Sequence, residues 1–187
     1  AVAVAHMAQG RVVEAASEFE QISRVDDGIT ADQALIASHL QRNELDSALN
    51  AIDALQKKQP DDPATYSLRA RVLLAKKDTA AARRSFEKAV AMNPTYFPAV
   101  ASLASMDMAE GNSDQARKRF EEVLVADPKN MAALLSLARL TTATGGAAAE
   151  SLTLIKKSIS ANPDAVAPRL ALIDFYMAND EPKKADS

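Results

Sequence analysis

The 187-residue chain contains no cysteine and no tryptophan, and its aromatic residues make up only 4% of it. The lack of thiols removes disulfides, cysteine-bearing zinc sites, thiol catalysis and redox switching together. It leaves the compartment open, since exported proteins also do without cysteine. Glycine is scarce at 5 residues, and 8 prolines interrupt a background rich in Ala, Leu, Glu, Lys and Arg. That balance favours helix over sheet. Neither sign of charge dominates: 22 Lys and Arg against 25 Asp and Glu leave a formal charge of −3. Polyanion binders normally carry a basic excess, so neither nucleic acid nor an anionic membrane is an expected partner. No apolar run approaches the ~18 residues that a spanning helix needs, so direct membrane insertion is not expected. The opening Ala1-Val2-Ala3-Val4-Ala5 has no basic segment before it and no initiator methionine, unlike a signal peptide. The expectation is a cut inside a longer protein.

What the chain has in abundance is periodicity. Prolines stand at 60, 94, 128 and 163, each preceded by Gln, Asn or Asp: Gln59, Asn93, Asp127 and Asn162. Twelve residues before each proline lies a small residue (Ala48, Ala82, Ala116, Ser151), and eight before lies a large apolar one (Ile52, Phe86, Phe120, Ile155). Small and large residues four apart share one helix face. A second stripe runs upstream through Leu35, Ala70-Leu73, Leu103-Ala104 and Leu137-Ala138. Between the stripes a breaker recurs in phase: Asn43, Lys77-Asp78, Gly111-Asn112 and Gly145-Gly146. Each unit therefore reads helix, tight turn, helix, and a stop at proline, which lacks an N–H and denies the α conformation to the residue before it.

This pattern predicts helices over roughly 1–8, 12–25, 30–41, 45–58, 63–75, 79–92, 97–109, 113–126, 131–143, 147–161, 166–178 and 182–187. Gly10 is the first turn, Ala15 and Phe19 are the small and large residues of its second helix, and Asn179-Asp180 is the last turn. One such unit cannot hide its own apolar face, so stability must come from stacking. The Phe or Ile is expected to fill the space between one repeat and the next.

The pattern resembles the tetratricopeptide repeat, with Tyr66, Ala70, Leu73, Ala82, Phe86, Ala89 and Pro94 as its fullest copy and Ala104, Gly111, Ala116, Phe120 and Pro128 as the next. Ile36 replaces the small crossing residue, Ser151 and Ser158 replace two alanines, and one residue is inserted near Gly145-Gly146, where looser packing is expected. The resemblance implies an all-α fold, a right-handed α-α superhelix of about four full repeats with a half repeat at each end. The array spans 1–187 as one domain, divided at roughly 1–28 (partial), 29–62, 63–96, 97–130, 131–165 and 166–187 (partial).

A narrower likeness lies in Asp53-Ala54-Leu55-Gln56-Lys57-Lys58-Gln59-Pro60, Asn93-Pro94-Thr95-Tyr96-Phe97-Pro98-Ala99, Ala116-Arg117-Lys118-Arg119-Phe120-Glu121 and Pro168-Arg169-Leu170-Ala171-Leu172-Ile173. In this order they resemble the long repeat lipoproteins of bacterial PEP-CTERM protein-sorting systems. That likeness implies an exported protein, lipid-anchored near its N-terminus, in the cell envelope and tied to exopolysaccharide production. A cytoplasmic adaptor or chaperone-like module is the alternative, as is the regulatory array of an enzyme such as a glycosyltransferase.

No catalytic residue and no cofactor is expected. His6 and His39, 33 residues apart in phase, read as packing residues; a shared metal site would need a supporting carboxylate pair. The acidic pairs Asp26-Asp27, Asp61-Asp62 and Glu121-Glu122 read as caps or surface, and Asp61-Asp62-Pro63 as an N-cap with proline in the first turn. Ser17, Ser47, Ser85 and Ser151 have no His-based constellation, and Gly145-Gly146 lacks the strand and Gly-Lys-Ser/Thr of a phosphate loop. Arg83-Arg84 and Arg117-Lys118-Arg119 lie on second helices, the outer side that the resemblance implies. They are expected to pair with Glu87, Glu121 and Glu122 along the helix, with an anionic partner as the alternative.

The resemblance implies a concave face built by the first helices. Its inward positions are expected at Gln33, Ala37, Leu40, Ser67, Arg71, Leu74, Ser105, Met108, Leu135, Arg139, Thr142, Leu170, Asp174 and Met177. The Lys/Asn-rich set that clamps C-terminal carboxylates in one branch of the family is missing from these positions. A small, apolar lining with Arg71 and Arg139 as isolated charges suits a protein or peptide partner, such as an amphipathic helix or apolar segment. Contact with another turn of a longer solenoid is the other reading of the same face. Nothing in the sequence sets the oligomeric state.

Overall fold

The computed structural model describes residues 2–25 and 28–179. Within them the chain forms eleven helices and no strand: α1 (Val2–Ala8), α2 (Val12–Val25), α3 (Thr30–Gln41), α4 (Leu45–Lys58), α5 (Pro63–Ala75), α6 (Thr79–Met92), α7 (Phe97–Ala109), α8 (Ser113–Ala126), α9 (Met131–Ala143), α10 (Ala148–Ala161) and α11 (Val166–Ala178). These follow the expected boundaries, with α10 starting one residue late. The helix expected over 182–187 and the pair Asp26-Asp27 lie outside the described residues.

The first helices α1, α3, α5, α7 and α9 are each followed, two residues on, by a residue in the left-handed conformation, and those residues keep the period: Gly10 (φ 74°), Asn43 (56°), Lys77 (63°), Gly111 (79°) and Gly145 (72°). The next N–H then donates back to a carbonyl five residues earlier, as in Asp78 to Leu73 (2.9 Å), Asn112 to Asp107 (2.8 Å) and Gly146 to Thr141 (2.8 Å). This six-to-one bond satisfies a carbonyl that the helix end would orphan. In three repeats the residue after the left-handed one (Glu44, Asp78, Asn112) is itself the N-cap of the second helix. In the fourth, Gly146 intervenes and Ala147 is the N-cap. That is where the extra residue sits. A Cβ on Gly146 would stand 2.7 Å from Thr141 Cγ2 and 2.9 Å from Thr141 O, so this turn requires glycine.

Second helices stop at the residue before proline. Gln59, Asn93, Asp127 and Asn162 have φ between −132° and −141° and positive ψ, the extended basin to which a following proline ring confines its neighbour. The next first helix restarts with a cap: Asp62 accepts from Ala64 N (3.0 Å) ahead of Pro63, and Asn130 accepts from Ala133 N (3.0 Å). The N-cap expected at Asp61-Asp62-Pro63 is formed by Asp62.

The chain divides into two compact units, Ala1–Asn93 and Pro94–Ser187. In the first, α1 to α6 each pack on their neighbours in the chain. The small residues Ala15, Ala48 and Ala82 are buried, as are Phe19, Ile52 and Phe86 four residues on. First-helix crossing positions Ala3, Ile36 and Ala70 are buried too, Ile36 despite its bulk. A buried carboxylate, Asp32 on α3, is only 1% exposed. It accepts from Lys58 Nζ on α4 (2.7 Å) and from Ser23 on α2, so one residue links three helices.

In the second unit consecutive helices from α7 to α11 pack together, and α9 also meets α11. Ala116, Phe120, Ile155 and the crossing residues Ala104 and Ala138 are buried, and the Phe97 and Phe120 rings stack at 6.0 Å. Ser151 is fully buried as well. Its hydroxyl bonds the Ala138 carbonyl and Thr142 Oγ1, both at 3.0 Å, so the serine that stands for alanine at this crossing is hydrogen-bonded to α9.

Candidate functional site

At 3.6 residues per turn, positions one after, three before and four after the crossing residue fall within about 60° of one another on a helix. That arc holds Gln33, Ala37 and Leu40 on α3, then Ser67, Arg71 and Leu74 on α5. It continues with Ser105 and Met108 on α7, Leu135, Arg139 and Thr142 on α9, and Leu170, Asp174 and Met177 on α11.

In the first unit Gln33, Ala37 and Arg71 are exposed, Leu74 is 37% exposed, and Leu40 is half-buried. Ser67 is the exception. It is buried, so a side chain this short is covered where Gln33, at the same register, reaches solvent. It does not line an open face. Arg71 has no hydrogen-bond or ion-pair partner among the described residues.

In the second unit Ser105, Arg139, Thr142 and Asp174 are exposed and Leu135 half-buried. Met108 is 38%, Leu170 54% and Met177 60% exposed. Arg139 bonds only Ser136 on its own helix (3.4 Å), while Thr142 is tied to Ala138 O and Ser151. The sequence reading passed over Val166 and Ile173 of α11, which are also exposed. Ile173 occupies the register where α7 and α9 carry alanine, and that substitution was the available signal.

The two histidines make no bond to each other. His6 Nδ1 lies 3.3 Å from Glu18 Oε1 and His39 Nδ1 lies 2.8 Å from Glu44 Oε2, which also accepts from Arg42 (2.6 Å). Each histidine thus has the carboxylate that the sequence did not reveal, supplied within its own repeat. Among the described residues no three His, Asp or Glu side chains gather as a metal site.

The basic clusters on second helices do more than pair locally. Arg117 keeps its helical partner Glu121 (3.7 Å), but its shorter bonds go to Glu150 on α10 (2.7 Å) and Thr141 on α9 (2.8 Å). The Glu150 carboxylate holds the Arg117 guanidinium above its ordinary range, partly offset by burial. Arg119 closes on Asp107 of α7, whose burial requires a cation. Lys118 and Glu122, 3.9 Å apart and exposed, pair only along the helix, as expected. At the start of the chain Glu14 is held below the usual carboxylate range by its backbone hydrogen bond and by Arg11. Neither shifted group lies on the first-helix arc, which offers contact area and isolated charge but no acid–base pair.

Two family models, both described as tetratricopeptide repeat, match residues 34–97 and 73–140, together more than half of the chain. No curated protein sequence matches. Among solved structures, PilF of Pseudomonas aeruginosa superposes with a TM-score of 0.65 at 13% identity, covering 99% of this chain and 84% of that one. PilW, a type IV pilus biogenesis factor, gives 0.62 at 19% identity, covering 98% and 86%. YrrB, a repeat protein with an unusual peptide-binding site, gives 0.56 at 18% identity, covering 91% and 86%. At these identities the likeness is one of fold.

Proposed function

We propose that this chain, which belongs to the tetratricopeptide-repeat family, is a non-catalytic protein-interaction scaffold that takes an amphipathic helix or apolar segment on its first-helix faces. The observation that carries the reading is register. Beside the buried crossing residues Ile36, Ala70, Ala104 and Ala138 the arc stays uncovered apart from Ser67 and the half-buried Leu40 and Leu135. On α11 the whole arc is exposed together with Ile173, and among the exposed positions are Leu74, Met108, Leu170 and Met177. Unbranched methionines adapt to varied apolar partners, and spaced apolar side chains match the i, i+3, i+4, i+7 anchors of a helix laid in a groove. YrrB, with its peptide-binding site, is a precedent on the same fold.

We infer further that the chain is part of a bacterial cell-envelope lipoprotein linked to PEP-CTERM protein sorting and exopolysaccharide production. Support comes from the four residue strings around Pro60, Pro94, Phe120 and Pro168.

Two experiments test these readings. Leu74→Glu with Met108→Glu is expected to leave helicity unchanged and to abolish capture of the native partner by the full-length protein; retained capture moves the site elsewhere. Fractionation of the native organism with radiolabelled palmitate is expected to place the label and the full-length protein in the envelope. Recovery of unlabelled protein in the cytosol overturns the compartment.

A further inference from the structure

A cleft of about 520 Å³, open to solvent, lies between α4, α5 and α6 in the first unit. Arg69, Arg84 and Lys88 line it against a single carboxylate, Asp53, in a chain whose overall charge is negative. Asp53 is committed to Arg69. Arg84 and Lys88, four apart on α6, have no ion-pair or hydrogen-bond partner among the described residues, and Glu87 beside them pairs with neither. Several cations elsewhere on this molecule have carboxylates, namely Lys58 with Asp32, Lys76 with Asp46, Arg117 with Glu150 and Arg119 with Asp107. The isolated Arg71 and Arg139 stand singly, where Arg84 and Lys88 share one cleft. The remaining polar groups of the cleft are neutral. Tyr66 Oη accepts from Gln56 (2.7 Å) and donates to Pro60 O (3.3 Å), and Ser85 donates to Ala81 O (3.0 Å). The Ser85 and Tyr66 oxygens retain capacity to accept an N–H.

We propose that this cleft is a second docking site, for an acidic peptide segment. Two unpaired cations recognise carboxylates, and the neutral oxygens between them accept backbone N–H groups of a chain lying across the opening. A nucleic acid is the poorer match, because two free cations on a net-negative chain release few counterions. A small free anion is also a poorer match, since the cleft is open and presents no cradle of backbone N–H groups. The site does not depend on the first-helix reading, and its test is separate from that one.

The test uses a fluorescein-labelled octapeptide of four glutamates among alanines and glycines, with the four glutamines counterpart as control, followed by fluorescence anisotropy at two salt concentrations. The acidic peptide is expected to bind the whole chain, more weakly at higher salt, and the glutamine peptide at least about tenfold more weakly. Arg84→Gln with Lys88→Gln is expected to weaken binding by about tenfold or more with an unchanged melting curve, since neither side chain supports the fold. Arg84→Lys with Lys88→Arg keeps both charges and is expected to keep most of the affinity. Leu74→Glu leaves it unchanged. The proposal is overturned by equal binding of the two peptides, by full affinity in the double glutamine variant, or by no binding at about 1 mM. It is equally overturned if an oligogalacturonate or an oligonucleotide binds the cleft more tightly than the peptide.

Discussion

Arg119 on α8 meets the carboxylate of Asp107 on α7, a residue only 2% exposed, twelve positions earlier in the chain. A buried ion pair is costly to form and costlier to break, because removing one partner strands the other charge away from water. Arg119→Met is therefore expected to destabilise the protein by about 3–5 kcal/mol. Adding Asp107→Leu is expected to recover most of that loss, and urea denaturation of the two single variants and the double measures the coupling.

Lys77 holds a left-handed turn that Gly10, Gly111 and Gly145 fill elsewhere with the residue suited to it. Lys77→Gly is expected to stabilise the protein by about 0.5–1 kcal/mol, because the strain of a Cβ at positive φ outweighs glycine's extra chain entropy. Gly111→Ala, with open space around it, is expected to lose about 1 kcal/mol from backbone strain alone. Gly146→Ala is expected to cost more, since its Cβ meets Thr141. Thermal melts of the three variants give the order.

Phe86 is fully buried in the first unit, and Phe120 is buried against Phe97 in the second. Phe86→Ala and Phe120→Ala are each expected to cost about 3–5 kcal/mol, the transfer loss plus the cavity left behind. A neutral result for either would mean that the phase of the repeat has been misread.

The Ser158 hydroxyl is buried and has no hydrogen-bond partner among the described residues, whereas Ser151 on the same helix is bonded twice. Ser158→Ala is expected to stabilise by about 1 kcal/mol, as an unsatisfied hydroxyl is removed. Ser151→Ala is expected to do the reverse. Chemical denaturation distinguishes the two signs.

Helix positions were legible because their stops are written repeatedly: the prolines after Gln59, Asn93, Asp127 and Asn162, and the in-phase turns at Asn43, Lys77, Gly111 and Gly145. Each is a local steric rule that needs no knowledge of the rest of the chain. Partners across the fold were not legible. Asp32 and Lys58 are 26 positions apart, Arg117 and Glu150 are 33 apart, and rules for helical spacing look only four residues along. The same limit hid the carboxylates beside His6 and His39. Of the expected interaction face, Ser67 failed because register gives direction and not reach. The cleft beside Arg84 draws side chains from three helices, and only the doublet Arg83-Arg84 hinted at it.

The acidic-peptide cleft beside α6 aside, the proposed apolar partner segment is held by the first helices rather than the second. Genetically placed benzoylphenylalanine at Leu74, at Met108 and, on second helix α8, at the 84% exposed Val125 tests it in living cells. Irradiation is expected to give a shared partner adduct at Leu74 and Met108 and none at Val125. An adduct at Val125 with none at the other two positions would contradict the claim.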